Sequence, residues 1–330
     1  MSQVHILKAV VPVLVDPAHK GTVKSILFSP GKAHSAVVIY EDAPPEFHDL
    51  RAAGIKPVMN DGDVVELNSQ SRVDALRFRD AVSAVVYRPG RDELALGFGE
   101  GDCYINRFNP ISGQRFESIY FENPVCLAYS SDGELLAAAG SDGTVTVFRI
   151  DLDDEAVELR SVQLPASARA MCFDELSGLL VVAAENNALI EFSYNSDEDA
   201  PVNRGVQFED GSTINAMQLK ALAYGDDGVI AYAGVGEEVF AASCLQRTGG
   251  AARLKETTRT HWLQFVENES VLVALTDGGV QILTFVLNED RRPIFDSKVV
   301  HFRPIAPEMQ MAGCRHYGSF ICIASVLPPE

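Results

Sequence analysis

The chain has 330 residues, 47% of them hydrophobic, with 27 Lys and Arg against 46 Asp and Glu and a formal net charge of −19. That surplus of carboxylates excludes a generic phosphate-tracking surface, because counterion release needs clustered basic residues. No run approaches the roughly 20 apolar residues of a membrane-spanning helix, and the length suits either two ordinary domains or one ring of repeated sheets.

In chain order, residues 1–16 come first. Apolar pieces at 4–7 and 10–15 carry Pro12 mid-run and lack a basic stretch followed by a small-residue cleavage site, so they are expected as strands, not as a signal peptide. Residues 23–28 open the first copy of a recurring unit, with a turn at Ser29-Pro30-Gly31. The unit is an apolar strand ending in an aromatic, a turn, a second apolar strand, an acidic or Gly turn, and a third strand ending in an aromatic. Residues 64–67, after Asp61-Gly62, read as the later hairpin of this copy. Between them, residues 41–57, with Pro44-Pro45 and Phe47, read as an exposed insertion loop. The second copy runs through 84–87, 93–98 and 103–108.

The third copy is the clearest: residues 127–148 read LAYSSDGELLAAAGSDGTVTVF. The run 134–139 is rich in Ala and Leu, and propensity alone permits a helix there. The pairs Asp132-Gly133 and Asp142-Gly143 overrule it, since glycine supplies the positive φ of a tight hairpin. Residues 144–148 alternate and are β-branched, as a strand with one buried face requires. The fourth copy spans 170–173, 179–184 and 189–192 across Asn186-Asn187. The fifth opens at 222–228 and nearly repeats 127–133. The sixth takes 262–265, 271–275 and 280–285, and a degenerate seventh takes 311–314 and 319–326.

The first-strand anchors Phe28, Tyr87, Tyr129, Phe173, Tyr224, Phe265 and Cys314 recur at roughly 48-residue spacing, the mark of repeat architecture. The expected fold is all-β: a seven-bladed β-propeller forming one domain over residues 1–330. Its seventh blade runs out after two strands, so residues 1–15 are expected to complete it and close the ring. The polar segments 151–158, 195–199 and 288–292 follow third strands and suit solvated loops.

Tyr129-Ser130-Ser131-Asp132-Gly133 followed by Ser141-Asp142-Gly143-Thr144-Val145-Thr146-Val147-Phe148 resembles the WD-repeat propellers. The likeness spans most of the chain and is strongest at 125–150; Asp142 and Asp277 match that family's turn Asp. The chain departs from it too. Third strands end in Phe108-Asn109, Phe148-Arg149, Phe192-Ser193 and Phe285-Val286, with no Trp-Asp and no Gly-His dipeptide. The family's buried Asp-His-Ser/Thr-Trp tetrad is therefore missing, and Phe fills the Trp position by packing alone. The resemblance implies a scaffold that binds other proteins through its narrow top face and central channel, with no activity of its own.

Motifs for chemistry fail on spacing. Residues 151–155 begin like a calcium loop but place Ala156 and Val162 where Gly and Glu are needed. Gly97-Phe98-Gly99-Glu100-Gly101 precedes a strand instead of the helix a dinucleotide site requires. Cysteines 103, 126, 172, 244, 314 and 322 form no Cys-x-x-Cys pair, and most lie in strand-like runs as small apolar fillers. Free thiols suit the cytoplasm or nucleus. No cofactor is expected. Arg72, Arg77, Arg79, Arg88 and Arg91 form the one basic cluster, readable as an anion contact or as pairing with surplus carboxylates.

The expected role is a non-catalytic scaffold, a subunit or domain of a larger complex, with other protein subunits or peptides as partners and no direct nucleic-acid binding. Candidate contact positions lie just before first strands and in second-to-third-strand turns: Asn123, Asp142, Arg169, Asn187, Trp262 and Asp277. Two alternatives stay open. One is a lactonase-type propeller hydrolase whose central divalent metal takes Glu, Asp and Asn ligands from distant blades; the other is an acidic propeller for histones or basic peptides. Leu327-Pro328-Pro329-Glu330 has the composition of a linker edge, as at the border of a domain.

Overall fold

The structure is a computed structural model of the chain. It describes residues 9–15, 22–29, 35–56, 59, 63–73, 78–99, 103–151, 154–186, 188–196, 200–203, 219–225, 229–234, 238–243, 249–253, 260–265, 271–276, 279–289, 293–295, 301–304, 310–317 and 320–326. All regular structure among these is β. The chain divides into two compact units: Met1–Pro124, Asp151–Ala156 and Ala306–Glu330 form the first, Val125–Ile150 and Val157–Ile305 the second.

In the first unit the strands are β1 (Ala9–Val15), β2 (Val23–Phe28), β3 (Ser35–Tyr40), β4 (Glu46–Asp49), β5 (Val65–Leu67), β6 (Val82–Tyr87), β7 (Leu94–Phe98), β8 (Tyr104–Phe108) and β9 (Ile119–Tyr120). The second unit holds, apart from the first residues of β10 and β13, β10 (Pro124–Tyr129), β11 (Leu135–Gly140), β12 (Thr144–Ile150), β13 (Ala156–Gln163), β14 (Ala168–Asp174), β15 (Leu179–Ala184), β16 (Leu189–Ser193) and β17 (Val202–Asn203). It continues with β18 (Leu219–Gly225), β19 (Val229–Gly234), β20 (Glu238–Ser243), β21 (Gly249–Arg253), β22 (Thr260–Phe265), β23 (Val271–Thr276), β24 (Gly279–Leu287), β25 (Pro293–Phe295) and β26 (His301–Pro304). The last two strands, β27 (Gln310–Tyr317) and β28 (Phe320–Val326), belong to the first unit.

Most sheets are antiparallel meanders. β6 to β9, β10 to β13, β14 to β17 and β18 to β21 each pair in chain order, β2 to β4 do the same with three strands, and β22 to β25 carry β26 as a fifth strand on β24. The remaining sheet has the order β27-β28-β1-β5, in which β1 runs parallel to both neighbours, pairing Ala9 with Phe320 through Val15 with Val326 and Val13–Val15 with Val65–Leu67. The N-terminal strand thus sits inside the sheet built by the C-terminal hairpin. The apolar piece at 4–7 lies outside the described residues.

Seven equal blades are not what the described strands make: among the described residues five sheets have four strands, one has three and one has five. The reason is visible at β5. The sequence pattern assigns it to the first copy, but it pairs with β1 and so leaves β2-β3-β4 one strand short. The expected loop at 41–57 is also corrected. It contains β4, which pairs with β3 and buries Phe47 edge-on against Phe108, ring centroids 5.4 Å apart. Pro44-Pro45 therefore marks the turn into a strand, and Phe47 is a core residue.

Burial explains why the ambiguous runs are strands. In β11 the residues Leu136 to Ala139 are wholly inaccessible, because both sheet faces are covered, and helix propensity loses to packing. Gly133 and Gly143 flank it at φ +72° and +89°, as the two Asp-Gly turns demand. Phe108, Phe148, Phe192 and Phe285 close their third strands as buried rings.

Candidate functional site

Of the six positions expected to contact partners, Asn123 and Asp142 lie in turns, Arg169 and Trp262 lie within strands, and Asn187 and Asp277 fall outside the described residues. Asn123 precedes β10 and adopts φ +45°, a left-handed conformation that asparagine tolerates. Asp142 is exposed but locally engaged. Its carboxylate accepts the Thr144 N–H at 2.9 Å and the Thr144 hydroxyl at 2.8 Å, and these bonds, the backbone one foremost, hold its carboxyl below the usual range. Its carbonyl accepts Gln163 Nε2 at 2.8 Å, and a Cβ on Gly143 would come 2.7 Å from the Leu164 carbonyl oxygen. The β11–β12 turn is thereby pressed onto the segment that leads into β14.

Arg169 and Trp262 were expected just before first strands. Instead they are the second residue of β14 and the third of β22, because each strand starts earlier around a β-bulge. The bulge recurs. Register shifts fall between the first and third residues of β2, β6, β14, β18 and β22, and one residue later in β27: between Val23 and Ser25, Val82 and Ala84, Ala168 and Ala170, Leu219 and Ala221, Thr260 and Trp262, and Met311 and Gly313. The extra residues are Lys24, Ser83, Arg169, Lys220, His261 and Ala312. The sequence carried a signal for this: Lys24, Ser83, Arg169, Lys220 and His261 each stand four residues before the strand's aromatic anchor. A bulge re-aims its side chain, so this offset marks a position, not merely a strand start.

Of the basic cluster of the first unit Arg88 is buried, Arg72, Arg79 and Arg91 are exposed, and Arg88 shares a buried carboxylate with Arg107. Glu93, fully buried, accepts Arg88 Nη1 on Oε2 at 2.9 Å and Arg107 Nε on Oε1 at 2.7 Å. Asp154 takes Arg91 at 2.8 Å and Arg88 at 3.1 Å on Oδ1, while its carbonyl accepts Arg107 Nη1 at 2.8 Å. Asp154 sits at φ +66°, a strain of about 1 kcal/mol that the three guanidinium contacts hold in place. Arg72 pairs with Glu46 at 2.9 Å. For the described members of the cluster that make contacts, pairing with carboxylates is thus the outcome; Arg77 lies outside the described residues. Gly97, from the glycine-rich stretch, is inside β7 with the Pro124 ring against it, so it serves packing.

One serine–histidine pair resembles a nucleophile with its base. His48 Nδ1 lies 3.0 Å from Ser71 Oγ, and Nε2 lies 3.9 Å from Glu46 Oε2. Ser71 is buried, however, and its hydroxyl donates to the Asn68 carbonyl at 3.1 Å while accepting the Asn68 N–H at 3.1 Å. Its single proton is directed there, so Nδ1–H donates to Oγ and the pair braces a turn. Burial pushes the His48 imidazole down to about 4, with Glu46 opposing and Arg72 adding to the shift. A depressed histidine contributes stability that is present above the unfolded value near 6.5 and is lost as pH falls toward 4, here about 3 kcal/mol in all. His48→Asn keeps a partner for Ser71 without the titration. In urea titrations, wild type and variant should converge in stability between pH 6.5 and 4; a constant offset across that window would refute the assignment.

Cys126 and Cys172 are held far from reactivity. Burial pushes the first thiol up to about 12 and raises the second as well. Among the described residues no group of three or more His, Cys, Asp or Glu is placed to hold a metal ion, and no helix is long and apolar enough to cross a membrane.

No family model and no curated protein matches the sequence. Solved structures do match. The β-propeller domain of Cps50 (Swd1) from Myceliophteria thermophila aligns over 65% of this chain and 71% of its own, at 11% identity and a TM-score of 0.54. The computationally designed protein Ika8 aligns over 82% of this chain and 73% of its own, at 17% identity and a TM-score of 0.51. At such identities the likeness speaks for the fold alone. The chain is an all-β β-propeller.

Proposed function

We propose that this propeller is a non-catalytic protein-interaction scaffold, a subunit or domain of a larger complex. In this reading it is a single WD-repeat-type domain over residues 1–330, with seven sheets acting as blades of unequal strand number. The observation that carries the reading is the fixed placing of strand-end positions. The same bulge recurs at the start of six first strands, and the turn at Asp142 is held by its own carboxylate and by Gln163. Short rigid turns in repeated register present side chains without loss of loop entropy on binding, as recognition surfaces need. Cysteines that stay free thiols among the described residues fit a cytoplasmic or nuclear setting.

The test is capture from native extract by the wild-type chain and by a variant with Asn123, Asp142, Arg169, Asn187, Trp262 and Asp277 all changed to Ala. Partner capture should be lost while the variant still unfolds cooperatively, with only the small fall in melting temperature that losing the Asp142 turn bonds brings. Undiminished capture would dismiss these positions, and a calcium-dependent rise in melting temperature with hydrolytic turnover would replace the scaffold with an enzyme.

A further inference from the structure

We infer that the second unit carries a nitrogen-base recognition arc for a short acidic peptide segment of a protein partner, formed at the bulge positions Arg169, Lys220 and His261. The inference rests on the scaffold reading and adds the chemistry of what is bound. Three observations support it.

The first is register. β14, β18 and β22 open three successive sheets, and β14 packs beside β18 and β18 beside β22. Each has its bulge between the first and third residues, so the second residues occupy equivalent points on three adjoining strands. The second is residue type. In a chain with 46 acidic and 27 basic residues, all three of these points carry a nitrogen base. The third is an unanswered donor. Nη1 of Arg169 is buried and has no hydrogen-bond partner among the described residues. Arg72, Arg88, Arg91 and Arg107 each hold a carboxylate, but Arg169 forms no ion pair among the described residues. A buried Nη1–H left without an acceptor is costly, and a ligand carboxylate would relieve that cost.

Size and charge narrow the ligand. The turns at this end of the sheets carry Asp142 and Glu185, and the whole chain stands at −19, so a long polyanion would be repelled outside the arc. A segment with two or three carboxylates in extended conformation gains the contacts without that repulsion.

Fluorescence anisotropy on the full chain tests this, with a labelled Asp/Glu-rich peptide, its Asn/Gln counterpart and a single-stranded oligonucleotide of equal charge. The acidic peptide alone should bind, and more weakly as salt rises. Arg169→Gln with Lys220→Gln should weaken it by roughly tenfold or more with melting unchanged, and Arg169→Lys with Lys220→Arg should restore most of it. If the double variant does not fold, Lys220→Gln alone should weaken binding by a smaller factor. Equal binding of the neutral peptide, equal or tighter binding of the oligonucleotide, or affinity indifferent to these substitutions would overturn the inference. If the acidic peptide fails while wild-type capture from extract persists, the arc is wrong and the scaffold stands. If capture fails as well, the scaffold reading falls with it.

Discussion

Deleting residues 1–15 should abolish the cooperative unfolding of the first unit and leave a species that aggregates. β1 is an interior strand, with seven residue pairs to β28 on one side and three to β5 on the other. Its Val11, Val13 and Val15 are buried in the cluster that also holds Ile26, Phe28, Val38, Leu50 and Met59. Burying three valines contributes about 6 kcal/mol, against a net stability of roughly 5–15 kcal/mol for a whole domain. Removal also exposes the β28 and β5 edges, which invite strand addition from other chains. Differential scanning calorimetry should show the first transition gone. A synthetic peptide of residues 1–15 added in trans should restore part of it, since the edge it needs is left open. An unchanged melting curve for the truncated chain would mean that β1 does not hold the terminal sheet together.

Glu93→Gln should cost about 3–5 kcal/mol, the usual penalty for breaking a buried ion pair from one side. The fully buried carboxylate serves Arg88 and Arg107 at once, and neutralising it leaves two buried cations facing each other with Asp154 as the remaining anion. Replacing all three together, as Arg88→Met, Glu93→Leu and Arg107→Met, should recover most of the loss, because no charge is left without a partner. Urea midpoints at neutral pH would read both effects. If Glu93→Gln falls within about 1 kcal/mol of wild type, as exposed pairs do, the network is solvated and its role here is overstated.

These two sites differ in how far the sequence announced them. The apolar run at 10–15 and the missing outer strands of the last copy point, in the sequence alone, to pairing between the chain ends. Which strands flank β1 was not legible, because β5 has three residues and no period long enough to choose between β4 and β1. Glu93 was invisible for a different reason. It stands at the start of an apolar run like any edge residue, and only the fold brings Arg107 from the next strand and Asp154 from residues 151–156 against it. The loop assigned to 41–57 failed because Pro44-Pro45 and two acids outweighed the short run around Phe47, whose partner Phe108 is distant in sequence. Of the candidate contacts, Asp142 announced itself through the Asp-Gly turn. Arg169 reads in the sequence as the residue before a strand but belongs to β14, at a bulge whose repetition lies in the strand registers.

What the sequence determined by itself is the periodic part: β strands, hairpin turns at Asp-Gly, aromatic anchors at repeated spacing, and therefore a propeller. Those features are local, since alternation and positive-φ glycines act within about ten residues. The tertiary structure alone decided the strand number of each sheet, the partners of the buried charges and the residue that stands at each bulge. Those depend on contacts between residues far apart in the chain, where pairing energy, and not local conformational preference, selects among several arrangements the same pattern allows.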